Sequence, residues 1–89
     1  MENPQVTIKS SDMDPWMQQD AVDCAVFAVG RFSLEKDIAA SIKRDFDREY
    51  GPSWSCFVGN GFGSYFTHAT GHFMHLCVGP LGIVLFYQK

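Results

Sequence analysis

At Gly51-Pro52 the apolar spacing of the chain changes period. Upstream, Leu34, Ile38, Ile42, Phe46 and Tyr50 recur every four residues while Lys43, Arg44, Asp47, Arg48 and Glu49 face away, the pattern of an amphipathic helix. Glycine then proline stops such a helix, because glycine tolerates the C-cap conformation and proline cannot continue the backbone bonding. Downstream the apolar residues fall into short runs. Trp54, Cys56 and Val58 alternate with smaller or partly exposed side chains, and further strands are expected over 62–67, Phe73–Val78 and Leu81–Tyr87. Helices and strands are thus segregated, which excludes an alternating βαβ arrangement.

A first helix is expected over 15–32. Asp14 reads as its N-cap, and Pro15 at the first helical position costs nothing. Val22, Ala25, Val26 and Val29 fall at i, i+3, i+4 and i+7 and form its apolar face. Gly30 weakens the last turn by about 1 kcal/mol relative to Ala and marks fraying or close packing. Ser33 reads as the N-cap of the second helix, over 34–50. A short strand over 5–9 precedes both, with Val6 and Ile8 alternating against polar neighbours. Gly59-Asn60-Gly61 and Gly79-Pro80 read as turns. The order β-α-α-β-β-β-β gives an α+β fold, two helices packed on one face of an antiparallel β-sheet, in a single domain over 1–89.

With 89 residues, 46% of them hydrophobic and eight of them Phe, the chain has much apolar surface and little volume to hide it. A domain of this size buries only about 60–65% of the surface its unfolded form exposes, so a disulfide, a metal or a second copy commonly assists. The formal charge of −3 argues against a nucleic-acid partner. No apolar run reaches the roughly 18 residues of a membrane span, and the polar residues 1–12 do not read as a signal peptide, so a cytosolic setting without a membrane is expected. Cys24, Cys56 and Cys77 are odd in number and lack a C-x-x-C pair, which favours buried thiols over disulfides or ligands.

Chemistry could reside in His68, His72, His75 and Cys77. On a strand from 72 onward His75 and Cys77 share a face and His72 points to the other, and no second pair at finger-like spacing completes a zinc site. Cys77 with His75, or Cys56 with His68, could pair a nucleophile with a base, but no nucleophile motif or helix N-terminus accompanies either thiol. Gly59-Asn60-Gly61-Phe62-Gly63 lacks the Lys and the following helix of a phosphate loop. Neither an enzyme nor a cofactor is expected. The segment Phe62-Gly63-Ser64-Tyr65-Phe66-Thr67 is aromatic on both faces and Gly63 bares its backbone, so it reads either as an interaction edge or as an internal strand of a closed sheet.

Asp12-Met13, Met17-Gln18-Gln19-Asp20, the run Glu35 to Ala40, and Phe62-Gly63-Ser64-Tyr65 with Thr67-His68 resemble the eight-kilodalton dynein light chain family. Phe46-Asp47, Pro52, Trp54, Cys56, Val58-Gly59 and His72-Phe73 continue the match, which spans essentially the whole chain. The resemblance implies a strand-swapped homodimer, in which 62–67 leaves its subunit and joins the partner's sheet. Gly59 to Gly61 would then be a crossover. Its interface would include Ser55, Phe62, Ser64, Tyr65, Phe66 and Thr67. Each exchanged strand would offer its edge to an extended client segment, with a dynein intermediate chain and other proteins carrying short linear motifs as partners.

By that resemblance Phe62, Gly63, Ser64, Tyr65, Phe66, Thr67 and His68 line the client strand. Phe73 forms the groove wall, and His75 and Cys77 its floor. Glu35 and Lys36, at a helix N-terminus with unpaired N–H groups, would meet the glutamine of a threonine-glutamine-threonine client core. The chain departs from the family pattern at His75 and Cys77, where tyrosines are usual. It also departs at Phe66 and Gly61, and at Ser55, where an interface histidine is typical. Gln88 and Glu2 replace a phosphorylatable serine and a cysteine, so the family's switches do not carry over. The reading is a non-catalytic light chain of dynein motors in the cytoplasm, cytoskeleton or cilium; the alternative is a dimerisation hub for non-motor clients with altered groove specificity.

Overall fold

The computed structural model describes residues 5–60 and 72–87. Strand β1 (Val6–Ser11) leads into helices α1 (Pro15–Arg31) and α2 (Glu35–Tyr50), followed by strands β2 (Trp54–Asn60), β3 (Phe73–Val78) and β4 (Leu81–Tyr87). The strands form one antiparallel sheet in the order β1-β3-β4-β2. Both helices pack on the same face of it. This is the α+β architecture read from the sequence. The expected strand over 62–67 lies outside the described residues.

In α2 the every-fourth-residue pattern is buried at Ile38, Ile42 and Phe46, each 1% exposed, and Tyr50 is partly buried. Leu34, the first member of that pattern, is instead 55% exposed, because it sits at the N-cap with extended backbone. The helix therefore starts one residue later than expected, and no side chain caps it. Gly51 ends it at φ 86°, its N–H donating to the Asp47 carbonyl at 2.9 Å.

Helix α1 buries a stripe of alanines, Ala21, Ala25 and Ala28, so of the expected face of Val22, Ala25, Val26 and Val29 only Ala25 is fully buried. Val22 and Val29 flank that stripe, partly buried. Small side chains at i, i+4 and i+7 let the helix approach its neighbours closely. Asp14 occupies the N-cap with its side chain unbonded to the helix, and its carbonyl accepts from the Gln18 N–H at 2.9 Å. The Gln18 side chain in turn donates to the Met13 carbonyl at 2.8 Å. Among the described residues no atom comes within 4 Å of a Cβ placed on Gly30, so close packing there is not its reason.

Strand β1 runs two residues further than the sequence suggests. Val6 pairs with Val78, and a bulge between Ile8 and Ser10 shifts the register. Gly59 and Asn60 are no turn: they extend β2, opposite Gly82 and Leu81. Gly79, at φ 60°, and Pro80 make the expected turn between β3 and β4.

Trp54 closes the core at the α2–β2 corner, 1% exposed, with the rings of Phe46, Tyr87 and His72 at 4.9, 5.3 and 6.0 Å. Its backbone N–H donates to Asp47 Oδ1 at 2.8 Å. Among the described residues its buried Nε1–H has no hydrogen-bond acceptor and lies within this cage of steeply inclined rings.

Candidate protein-binding face

Strand side chains alternate between faces, so the burial of Met74, Leu76 and Val78 under the helices puts Phe73, His75 and Cys77 on the opposite face of the sheet. The register extends that face across the strands in rows. Phe73, Phe86 and Ser55 form the first row; Ser10, His75, Val84 and Phe57 form the second; Thr7, Cys77, Gly82 and Gly59 form the third. The face is aromatic at one end and small at the other. The rings of Phe57 and Phe86 meet at 5.9 Å, tilted by 37°, and Phe57 remains 51% exposed, whereas Phe73 and Val84 are buried.

His75 is half-buried in the middle row. Burial holds its imidazole below the usual histidine range, and the Lys9 ammonium adds to the effect. The ring is therefore neutral at pH 7. Lys9 is brought near by the bulge in β1, where it is the residue left without a partner in the ladder. Cys77 sits between Thr7 and Gly82, so the floor around it is shallow.

Glu35 and Lys36 are exposed in the first turn of α2. They belong to the helix layer, apart from His75 and Cys77, so the described members of the expected site stand in two places. Ser55 falls on the second face beside Phe86. Phe62, Gly63, Ser64, Tyr65, Phe66, Thr67 and His68 lie outside the described residues. Phe57, Val84, Phe86 and Thr7 were not singled out from the sequence. Their signal was the strand register, which places them in rows with the residues that were.

Other chemistry has little support among the described residues. His72 packs on the helix side against Trp54 and Tyr87, and His75 lies on the other face, as strand geometry requires. No three His, Cys, Asp or Glu side chains among those residues converge on a metal-sized site. Burial pushes the Cys56 thiol up to about 12. Burial, then Asp45, Asp20 and Asp23, push the Cys24 thiol up to about 11. Both are protonated near neutral pH and are weak nucleophiles. A cleft of about 370 Å³ between Met17, Tyr50, Trp54, His72 and Tyr87 is walled by rings. No described helix is long and apolar enough to cross a membrane.

A family model described as dynein light chain type 1 matches residues 5–87. Among solved structures, the chain is similar to the dynein light chain-like domain of the Fasciola hepatica calcium-binding protein FhCaBP2. The native form aligns at TM-score 0.78 and 20% identity, over 99% of this chain and 95% of that one. A mercury derivative aligns at TM-score 0.74 and 21% identity, over 94% and 92%. At such identities the likeness establishes the fold, and its element order and layers are those described above.

Proposed function

Because this chain belongs to the dynein light chain family, we propose that it is a non-catalytic homodimeric light chain that binds and pairs extended segments of other proteins by β-strand addition. Members of the family are generally adaptors without catalysis, and the finer reading rests on the second face of the sheet. Both helices cover one face, while the other carries Phe57, Phe73, Val84 and Phe86 in register. A second copy stacked on that face withdraws its exposed aromatic surface from water, at about 25 cal/mol per Å² of apolar area.

In this dimer segment 62–67 crosses to the partner's sheet. The interface takes in Ser55, Phe62, Ser64, Tyr65, Phe66 and Thr67. The client strand runs along 62–68, over Phe73, His75 and Cys77. Glu35 and Lys36 supply the helix N-terminus that meets a client amide. Two parallel grooves hold two client copies, so avidity raises the affinity of paired segments. The proposed partners are a dynein intermediate chain and other proteins with short linear motifs, in the cytoplasm and cytoskeleton, cilia included.

A second reading is favoured by the small side chains around Cys77: a hub for non-motor clients that fit a shallower groove. Pulldown with mass spectrometry separates the two, since only the first recovers dynein intermediate chains. Gly63→Pro removes an edge N–H and fixes φ, and is expected to weaken the dimer and abolish client binding. A normal sedimenting dimer that still binds would refute the strand assignment. In calorimetry, a threonine-glutamine-threonine peptide should bind the wild type more weakly than a His75→Tyr/Cys77→Tyr variant. Equal or tighter binding by the wild type would contradict the groove reading.

A further inference from the structure

On the side of the molecule away from the second sheet face, α1 leaves Trp16 and Phe27 68% and 58% exposed. A helix advances 100° per residue, so Trp16, Asp20, Asp23 and Phe27, at i, i+4, i+7 and i+11, form one stripe. The two rings stand about 16 Å apart along the axis. Between them a groove of about 260 Å³ opens between α1 and α2, lined by Asp20, Asp23, Asp45 and Glu49 over Cys24 and Phe46. The cation of the groove is Arg48, paired with Asp45 at 3.1 Å. The Tyr50 hydroxyl donates to Asp20, and the Gln19 amide to Asp23 at 3.0 Å. Four carboxylates thus face one guanidinium, bracketed by two exposed aromatic side chains.

We propose that the α1–α2 groove is a docking surface for a basic amphipathic helix of another protein. Large exposed rings three turns apart are anchors for apolar side chains. The acidic groove between them sets the charge of the occupant and disfavours an anionic lipid surface. Both walls are helices whose mid-helix backbone groups are bonded internally, so the groove has no edge for an added strand. The occupant must satisfy its own backbone, as a helix does. Its complementary pattern is an apolar residue at i and i+11 with Lys or Arg at i+4 and i+7. The surface is separate from the proposed client groove, so both can be filled together.

The test titrates the ¹⁵N-labelled 89-residue chain with a synthetic helical peptide of that pattern, roughly 18 residues or five turns long. Controls are a scrambled peptide of the same composition and a version with Glu in place of Lys and Arg. Amide shifts are expected around Trp16 to Phe27 and Asp45 to Glu49. Trp16→Gln/Phe27→Gln should weaken binding at least tenfold, and Asp23→Asn/Glu49→Gln should reduce its salt dependence. Both pairs are surface changes, and circular dichroism checks their fold. No binding, equal binding of either control peptide, shifts confined to the sheet, or affinity unchanged in Trp16→Gln/Phe27→Gln would overturn the proposal. Self-association of the free protein that the same variant abolishes would also overturn it, in favour of a second copy. A strand-adding client should bind that variant normally, so failure here is distinguishable from failure of the proposed function.

Discussion

Phe46 and Trp54 meet edge to face at 4.9 Å in a core where each is 1% exposed. Removing the Phe46 ring leaves a cavity that the Trp54 indole cannot fill without leaving its cage. Phe46→Ala should cost about 3–5 kcal/mol, read as a lower urea midpoint at unchanged slope. Asp47 works beside it by charge. Its bonds from Lys43 and from the Trp54 N–H hold its carboxyl below the ordinary 3.8. A depressed acid adds stability above its unfolded pKa and loses it as pH falls through the folded value. Asp47→Asn should therefore lower stability at neutral pH and flatten the acid limb below about pH 4, measured by denaturation across pH. The thiols act with the opposite sign. Cys24 at about 11 and Cys56 at about 12, against 9.0 unfolded, contribute stability that is full below pH 9 and is lost as pH rises through the folded values. Stability should decline from pH 9 upward, and Cys24→Ala should make that decline shallower.

At the scale of elements, Asp12 fastens the end of β1 to the start of β3. Its N–H donates to the Phe73 carbonyl at 3.0 Å and its Oδ1 accepts the Phe73 N–H at 2.9 Å. Asp12→Ala removes the second bond and should cost about 1–2 kcal/mol. Hydrogen exchange should show faster loss of the Phe73 amide proton, with the α2 amides little changed. Strands β3 and β4 were legible in the sequence to the residue, because Gly79-Pro80 fixes the turn between two dense apolar runs. Helix α2 was legible because one apolar stripe repeats without interruption. The alanine stripe of α1 was not, since Val22, Val26 and Val29 outrank Ala21 and Ala28 in hydrophobicity while tertiary packing selects for smallness. The bulge at Lys9 and the strand character of Gly59 and Asn60 depend on partners in β3 and β4, which no local signal announces. Of the candidate site, His75 and Cys77 could be assigned to one face by alternation alone. Their neighbours Val84, Phe86 and Thr7 needed the register.

For the molecule as a whole, the proposed dimer turns on what titrates at the second sheet face. Ser55 carries no group that ionises near neutral pH. His75 is on that face, held below the ordinary 6.5 by burial and by Lys9. A depressed histidine contributes stability that is full above its ordinary pKa and falls as pH drops through 6.5 toward the folded value. Because Ser55 develops no charge at the proposed interface, the apo dimer should persist to about pH 5, with no separation centred near pH 6. Sedimentation equilibrium checks this, and any separation at lower pH should be suppressed by His75→Gln. The pairing of β1 with β3 governs something else, the order in which the chain acquires structure. Val6 meets Val78 and the Gln5 carbonyl accepts from the Gly79 N–H at 2.8 Å, although these partners stand at opposite ends of the described sequence. During synthesis both helices can emerge and coil while β1 waits, its hydrogen-bonding partner still unmade. Sheet closure is then a late step with a large loop-entropy barrier, and refolding should be slow for so small a domain.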